Sequence, residues 1–124
     1  MAHKWTAAAV QMDCVPYDKD ANLRHAAERI ADAAAQGARL VVLPELFNTG
    51  YRVEVRDMEL AEDIPGHTTR WMQDMARRYG IYLAGALLER GADGLIYDTA
   101  VLVGGVVTQV MYVYLHQAFL LSTG

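Results

Sequence analysis

The sequence predicts a single α/β domain with elements in the order β-α-β-α-β-β-β. Three observations carry that expectation. Two segments repeat their apolar residues at helical spacing between recognisable caps. A short run, Leu40 to Leu43, is apolar at every position, as in a strand of a parallel sheet. Three further apolar runs are separated only by glycine-rich turns.

The first strand is expected over "WTAAAVQM", Trp5 to Met12, before turn chemistry in "DCVPYDKD". Asp18 or Asp20 caps a helix running to about Gln36, with Leu23, Ala26, Ala27, Ile30 and Ala34 on one face. Arg24, Glu28, Arg29 and Asp32 fall on its solvated side, and Gly37 supplies a left-handed stop. The strand at Leu40–Leu43 completes a βαβ unit.

A charged connection, "RVEVRDMELAEDIPG", then leads to a turn at Pro65 and Gly66. Thr68 or Thr69 is the expected cap of a second helix, whose stripe is Trp71, Met72, Met75, Ala76 and Tyr79 and whose end is Gly80. Strands are expected at Ile81–Leu88, Leu95–Val103 and Val106 to about Leu115, turned by "RGADG" and by the hairpin pair Gly104–Gly105.

Composition narrows the function classes. The chain has 124 residues, 53% of them hydrophobic and 21% charged, with a formal charge of −4. It is long enough to bury about two thirds of its unfolded surface, and its charge disfavours nucleic acid or an anionic membrane as partner. With Cys14 as its one cysteine it needs no oxidising compartment, so a cytoplasmic location is expected. Neither a signal peptide nor a membrane-spanning run is recognisable. Metal clusters, phosphate-binding glycine loops and serine-histidine-aspartate patterns are also unrecognised, so no cofactor is implied.

The chemically suggestive stretch is "LVVLPELFNTGY", Leu40 to Tyr51. Pro44 lacks a ladder donor and suits a strand end, which places Glu45 just outside the sheet, where ligand sites of α/β proteins assemble. Leu43, Leu46 and Phe47 are expected to desolvate its carboxylate partly, which favours proton transfer near neutral pH. The plain alternative is a solvated loop residue. Cys14, following the first strand, is expected to be an inert half-buried thiol, with a cysteine-glutamate pair as the alternative.

"AAVQMD", "ANL", "GARLVVLPELFNTGY", "GIYLAGALLER" and "LIYDTAVLV" resemble the carbon-nitrogen hydrolase, or nitrilase and aliphatic amidase, superfamily in order and spacing, from about Ala7 to Val103. The resemblance implies the amino-terminal half of an α-β-β-α sandwich. It also implies hydrolysis of nonpeptide C–N bonds of nitriles, amides or carbamoyl compounds by a Glu-Lys-Cys mechanism, with Glu45 as general base. Tyr51, Tyr114 and His116 are further candidate contributors. In "YVYLHQ", Tyr114 stands where such proteins carry lysine, and no segment matches the one that carries their nucleophile.

The resemblance therefore implies a single partial domain over 1–124, diverging from the family over about 108–124. The expectation is a truncated or frameshifted product, inactive alone, that self-associates through uncovered sheet surface. The competing expectation is a noncatalytic α/β module pairing with itself or with a longer homologue.

Overall fold

The computed structural model describes residues 3–51, 57–104 and 115–118. They form β1 (Ala7–Ala9), α1 (Lys19–Ala35), β2 (Leu40–Glu45), α2 (Asp57–Leu60), α3 (His67–Tyr79), β3 (Tyr82–Arg90), β4 (Ile96–Gly104) and β5 (Leu115–Ala118). The strands make one sheet in the order β1-β2-β3-β4-β5. β1, β2 and β3 are parallel, and β4 is antiparallel to β3 and β5.

Helix α1 starts where the sequence places it, because the Asp18 side chain accepts from Ala21 N–H at 3.0 Å. Gly37, at φ +87°, takes the chain out of the helix in a conformation that β-carbons resist. At the start of α3 the cap itself is Gly66, not Thr68 or Thr69. Thr69 sits one turn inside and its Oγ1 accepts from Gly66 N–H at 2.7 Å. A β-carbon on Gly66 would lie 2.2 Å from Asp63 O, so the cap position has no room for threonine. Gly80 ends the helix in the left-handed region, at φ +61°.

Leu23, Ala26 and Ile30 of α1, Met72 and Ala76 of α3, and Val41, Leu43, Leu83, Leu87, Val101 and Val103 of the sheet form one buried core. The inward residue near the end of α1 is Ala33 rather than Ala34. Gly85 leaves space for Phe47, which is fully buried; a β-carbon there would stand 2.8 Å from the ring.

Helices α1 and α3 both pack on this core face of the sheet. Val42 is 41% exposed, and Leu40, Ala84, Ala86, Ala100 and Leu102 share its outward alternation.

Two strand boundaries also differ from expectation. β1 is three residues long, since its alanines bring little to pleated packing. The run expected at Val106–Leu115 and the hairpin residue Gly105 lie almost entirely outside the described residues; β5 begins at Leu115. The charged connection contains the short α2, which the sequence did not suggest. The "RGADG" turn is present, closed by Gly91 N–H to Leu95 O at 2.8 Å. No helix among the described residues is long and apolar enough to cross a membrane.

Candidate active site

The position of Glu45 depends on an irregularity in β2. Val42 pairs with Ala84 of β3, but the next registered pair is Glu45 with Ala86. Leu43 and Pro44 thus occupy the space of one residue, Gly85, on the neighbouring strand. In a regular strand Glu45 would lie on the core side with Val41 and Leu43. The extra residue turns it to the outer face with Val42, and Pro44, with no N–H to leave unpaired, is suited to the bulge.

Beyond Glu45 the backbone reverses at once. Leu46 adopts φ +53°, a left-handed conformation that costs a leucine on the order of 1 kcal/mol or more. Three hydrogen bonds maintain it: Leu46 N–H to Ala86 O at 2.9 Å, and Thr49 and Gly50 N–H to Leu46 O at 3.2 and 2.8 Å. Burial of Leu46, Phe47, Asn48 and Thr49 holds the elbow against the body of the domain.

Asn22, 1% exposed, ties this elbow to α1. Its Oδ1 accepts from Val15 N–H at 2.7 Å, and its Nδ2 donates to Val15 O and to Asn48 O, both at 2.9 Å. Glu62 completes the support. Its carboxylate accepts from Thr68 N–H at 2.7 Å and Thr68 Oγ1 at 2.6 Å, at the start of α3. It also accepts from Lys19 Nζ at 2.9 Å and from Asn48 Nδ2 at 3.3 Å. Burial pushes the Glu62 carboxyl up, but the bonds from Thr68 and Lys19 outweigh it and hold the group below its ordinary value. Its own backbone bridges β3 beyond the end of β2.

Glu45 itself is exposed. Leu43 and Phe47 lie in the core beneath it, so the expected apolar collar is corrected: they support the backbone and do not enclose the carboxylate. Leu46 turns instead into a second buried cluster with Ala61, Leu88 and Ile96. The side chain that faces Glu45 is Asp98 of β4, which is 8% exposed. Asp98 was not among the sequence candidates. Its signal was a lone acid in "LIYDTAVLV", at even spacing from Ala100 and Leu102, where strand alternation puts it on the outer face.

Burial first, then the hydrogen bond and the charge of Glu45, push the Asp98 carboxyl up to about 7. A carboxyl that keeps its proton near neutrality can donate to a carboxylate beside it.

Tyr51 is 64% exposed at the far end of the elbow. His116 lies on β5 in register with Thr99, and Tyr114 lies outside the described residues. Cys14 donates to Phe47 O at 3.4 Å, and burial followed by the charge of Asp13 pushes its thiol up. That is the electrostatic setting of an inert thiol rather than an activated one. A cavity of about 330 Å³ between β1 and α1 and another of about 620 Å³ beside Tyr17 and Lys19 are both lined by residues other than Glu45. Among the described residues no three His, Cys, Asp or Glu side chains are grouped to hold a metal.

Residues 6–107 match the carbon-nitrogen hydrolase family, and the chain belongs to it. It is 44% identical over 100 residues to a nitrilase of Pyrococcus abyssi, a match covering 78% of this chain and 38% of that protein. It is 38% identical over 101 residues to an omega-amidase of Danio rerio, covering 82% and 36% of the two chains. It thus spans less than two fifths of the length of these relatives.

Solved structures agree on the fold. An amidase from Nesterenkonia sp. AN1, described with acrylamide added at its active-site cysteine, superposes with a TM-score of 0.66 at 29% identity, over 80% of this chain and 39% of that one. A carbon-nitrogen hydrolase from Helicobacter pylori gives 0.70 at 22% identity, over 85% and 38%.

Proposed function

We propose that this chain is the base-bearing part of a hydrolase acting on nonpeptide C–N bonds of nitriles, amides or carbamoyl compounds, with Glu45 as the general base. The observation that carries the reading is the Leu43–Pro44 bulge. It turns the glutamate of the family-like "LPELFNTGY" stretch onto the outer face, where a reacting group has access to it.

In the chemistry the resemblance implies, Glu45 accepts the proton of a cysteine thiol. The thiolate attacks the amide carbon, nitrogen takes up the proton and leaves as ammonia or amine, and water cleaves the thioester; with a nitrile, a first water adds to the thioimidate before ammonia leaves. A lysine stabilises the developing charge. The cysteine of the Nesterenkonia amidase supports a thiol step, but Cys14 is unsuited to it and Tyr114 stands at the lysine's matched position. A tyrosine hydroxyl donates a hydrogen bond but brings no positive charge at neutral pH. We therefore infer that the 124-residue chain does not turn over substrate alone. We also infer that it is one partial domain, cytoplasmic, and that its uncovered apolar strand face leads it to associate with itself.

The test joins residues 6–107 to the remaining carboxyl-terminal part of the Pyrococcus abyssi nitrilase and follows ammonia release from a panel of amides and nitriles. Activity is expected in the chimera, and Glu45→Gln should lower kcat/KM about 10²- to 10⁴-fold. An active chimera indifferent to Glu45→Gln would overturn the assignment.

A further inference from the structure

The register of three strands places Asp98 beside Glu45. Glu45 is level with Ala86, and Ala86 with Ala100. Asp98 lies two residues along β4 from Ala100, hence on the same face, and is level with Leu88. Leu88 and Ile96, its apolar neighbours on that face, are buried with Leu46 and Ala61. Apolar side chains thus wall the Asp98 carboxyl on one side while Glu45 meets it on another, which accounts for its 8% exposure.

The remaining charged groups do not offset this pairing. Arg90 shares the face with Leu88, but its guanidinium donates to Ala61 O at 2.8 Å and lies 3.9 Å from Asp63. Glu89 and Tyr97 alternate to the opposite face. On β5, Gln117 is level with Asp98 and His116 with Thr99. The elbow residues Leu46 to Gly50 carry no charge.

We propose that Asp98 is a positioning residue for Glu45: its protonated carboxyl donates a hydrogen bond to the Glu45 carboxylate and fixes the base in one orientation on the outer face. The proposal rests on the reading of Glu45 as general base, and it adds a residue that the sequence motif does not contain. A carboxylate at the end of a strand has freedom about three side-chain torsions. One charge-assisted bond from a buried donor selects among them. The donor is lost when Asp98 gives up its proton, so the positioning is conditional on pH. Once Asp98 is a carboxylate it repels Glu45, and the exposed Glu45 side chain turns to water.

The experiment uses the 124-residue chain, ¹³C-labelled, with carboxyl chemical shifts and Glu45 side-chain relaxation followed from about pH 5 to about pH 9. Asp98 should titrate near 7, and Glu45→Gln should lower that midpoint by roughly one pH unit or more. Glu45 should be ordered below the midpoint and mobile above it. In Asp98→Asn the amide donor does not titrate, so Glu45 should stay ordered throughout; in Asp98→Ala it should be mobile throughout. An Asp98 midpoint unmoved by Glu45→Gln, or a Glu45 whose order in Asp98→Asn still follows pH as in the parent, overturns the proposal. So does a folded Asp98→Ala variant in which Glu45 remains ordered. If Asp98→Ala does not fold, the other two variants decide. None of these readouts involves turnover. An Asp98 midpoint that moves with Glu45→Gln, in a chain whose chimera ignores that substitution, would refute the general-base reading while leaving the pair intact.

Discussion

Removing the Asn22 amide should loosen the elbow that carries Glu45. In Asn22→Ala three hydrogen bonds disappear together, leaving Val15 N–H, Val15 O and Asn48 O without their partner. Val15 is 53% exposed, so water can replace much of its loss, at about 0.5–1 kcal/mol per group. Asn48 is 1% exposed and its carbonyl has no such recourse, which adds about 1–3 kcal/mol. The expected total is about 3 kcal/mol, a large share of the stability of a domain this size.

Urea unfolding measures it as a lower midpoint at unchanged slope. Amide hydrogen exchange should locate the loss at Tyr17, Thr49 and Gly50, whose N–H groups hold the elbow closed. A cost below about 1 kcal/mol with unaltered exchange at those three amides would refute the argument that Asn22 links α1 to the site.

Two further outcomes are expected. Glu62, whose carboxyl is held below its ordinary value, contributes stability that is fully present above its unfolded-state range and is lost as pH falls through the folded value. Glu62→Gln should therefore flatten the acid side of the stability profile and lower stability by about 1–3 kcal/mol at neutral pH, where Lys19 loses its counter-charge; thermal melts at several pH values check both. The uncovered strand face predicts that light scattering will detect assemblies larger than one chain, and that Val42→Asp will shift them toward monomer; a monodisperse monomer in the parent would remove the basis for this expectation.

The local chemistry of the sequence determined several elements directly. Asp18 as cap, Gly37 and Gly80 as left-handed stops, and the apolar stripe of α3 are decided by side chains within a turn of the residue concerned. The family resemblance was legible for a similar reason, since "LPELFNTGY" encodes a strand end, a bulge and an elbow in consecutive residues.

What the sequence left undecided depends on partners far along the chain. Gly66 is the cap of α3 because Asp63 crowds it, while the first-turn N–H of Thr68 is satisfied by Glu62. Whether β2 is covered on one face or two depends on where α1 and α3 both pack. The direction of Glu45 depends on a register shift against β3, and no periodicity within β2 reveals it. Asp98 stands more than fifty residues from Glu45, and only strand order brings their carboxyls together. The sequence by itself supplied the acid and the helix ends. Tertiary structure chose the side of the sheet on which that acid emerges and gave it a proton-bearing neighbour, because side-chain direction in a strand is settled by pairing.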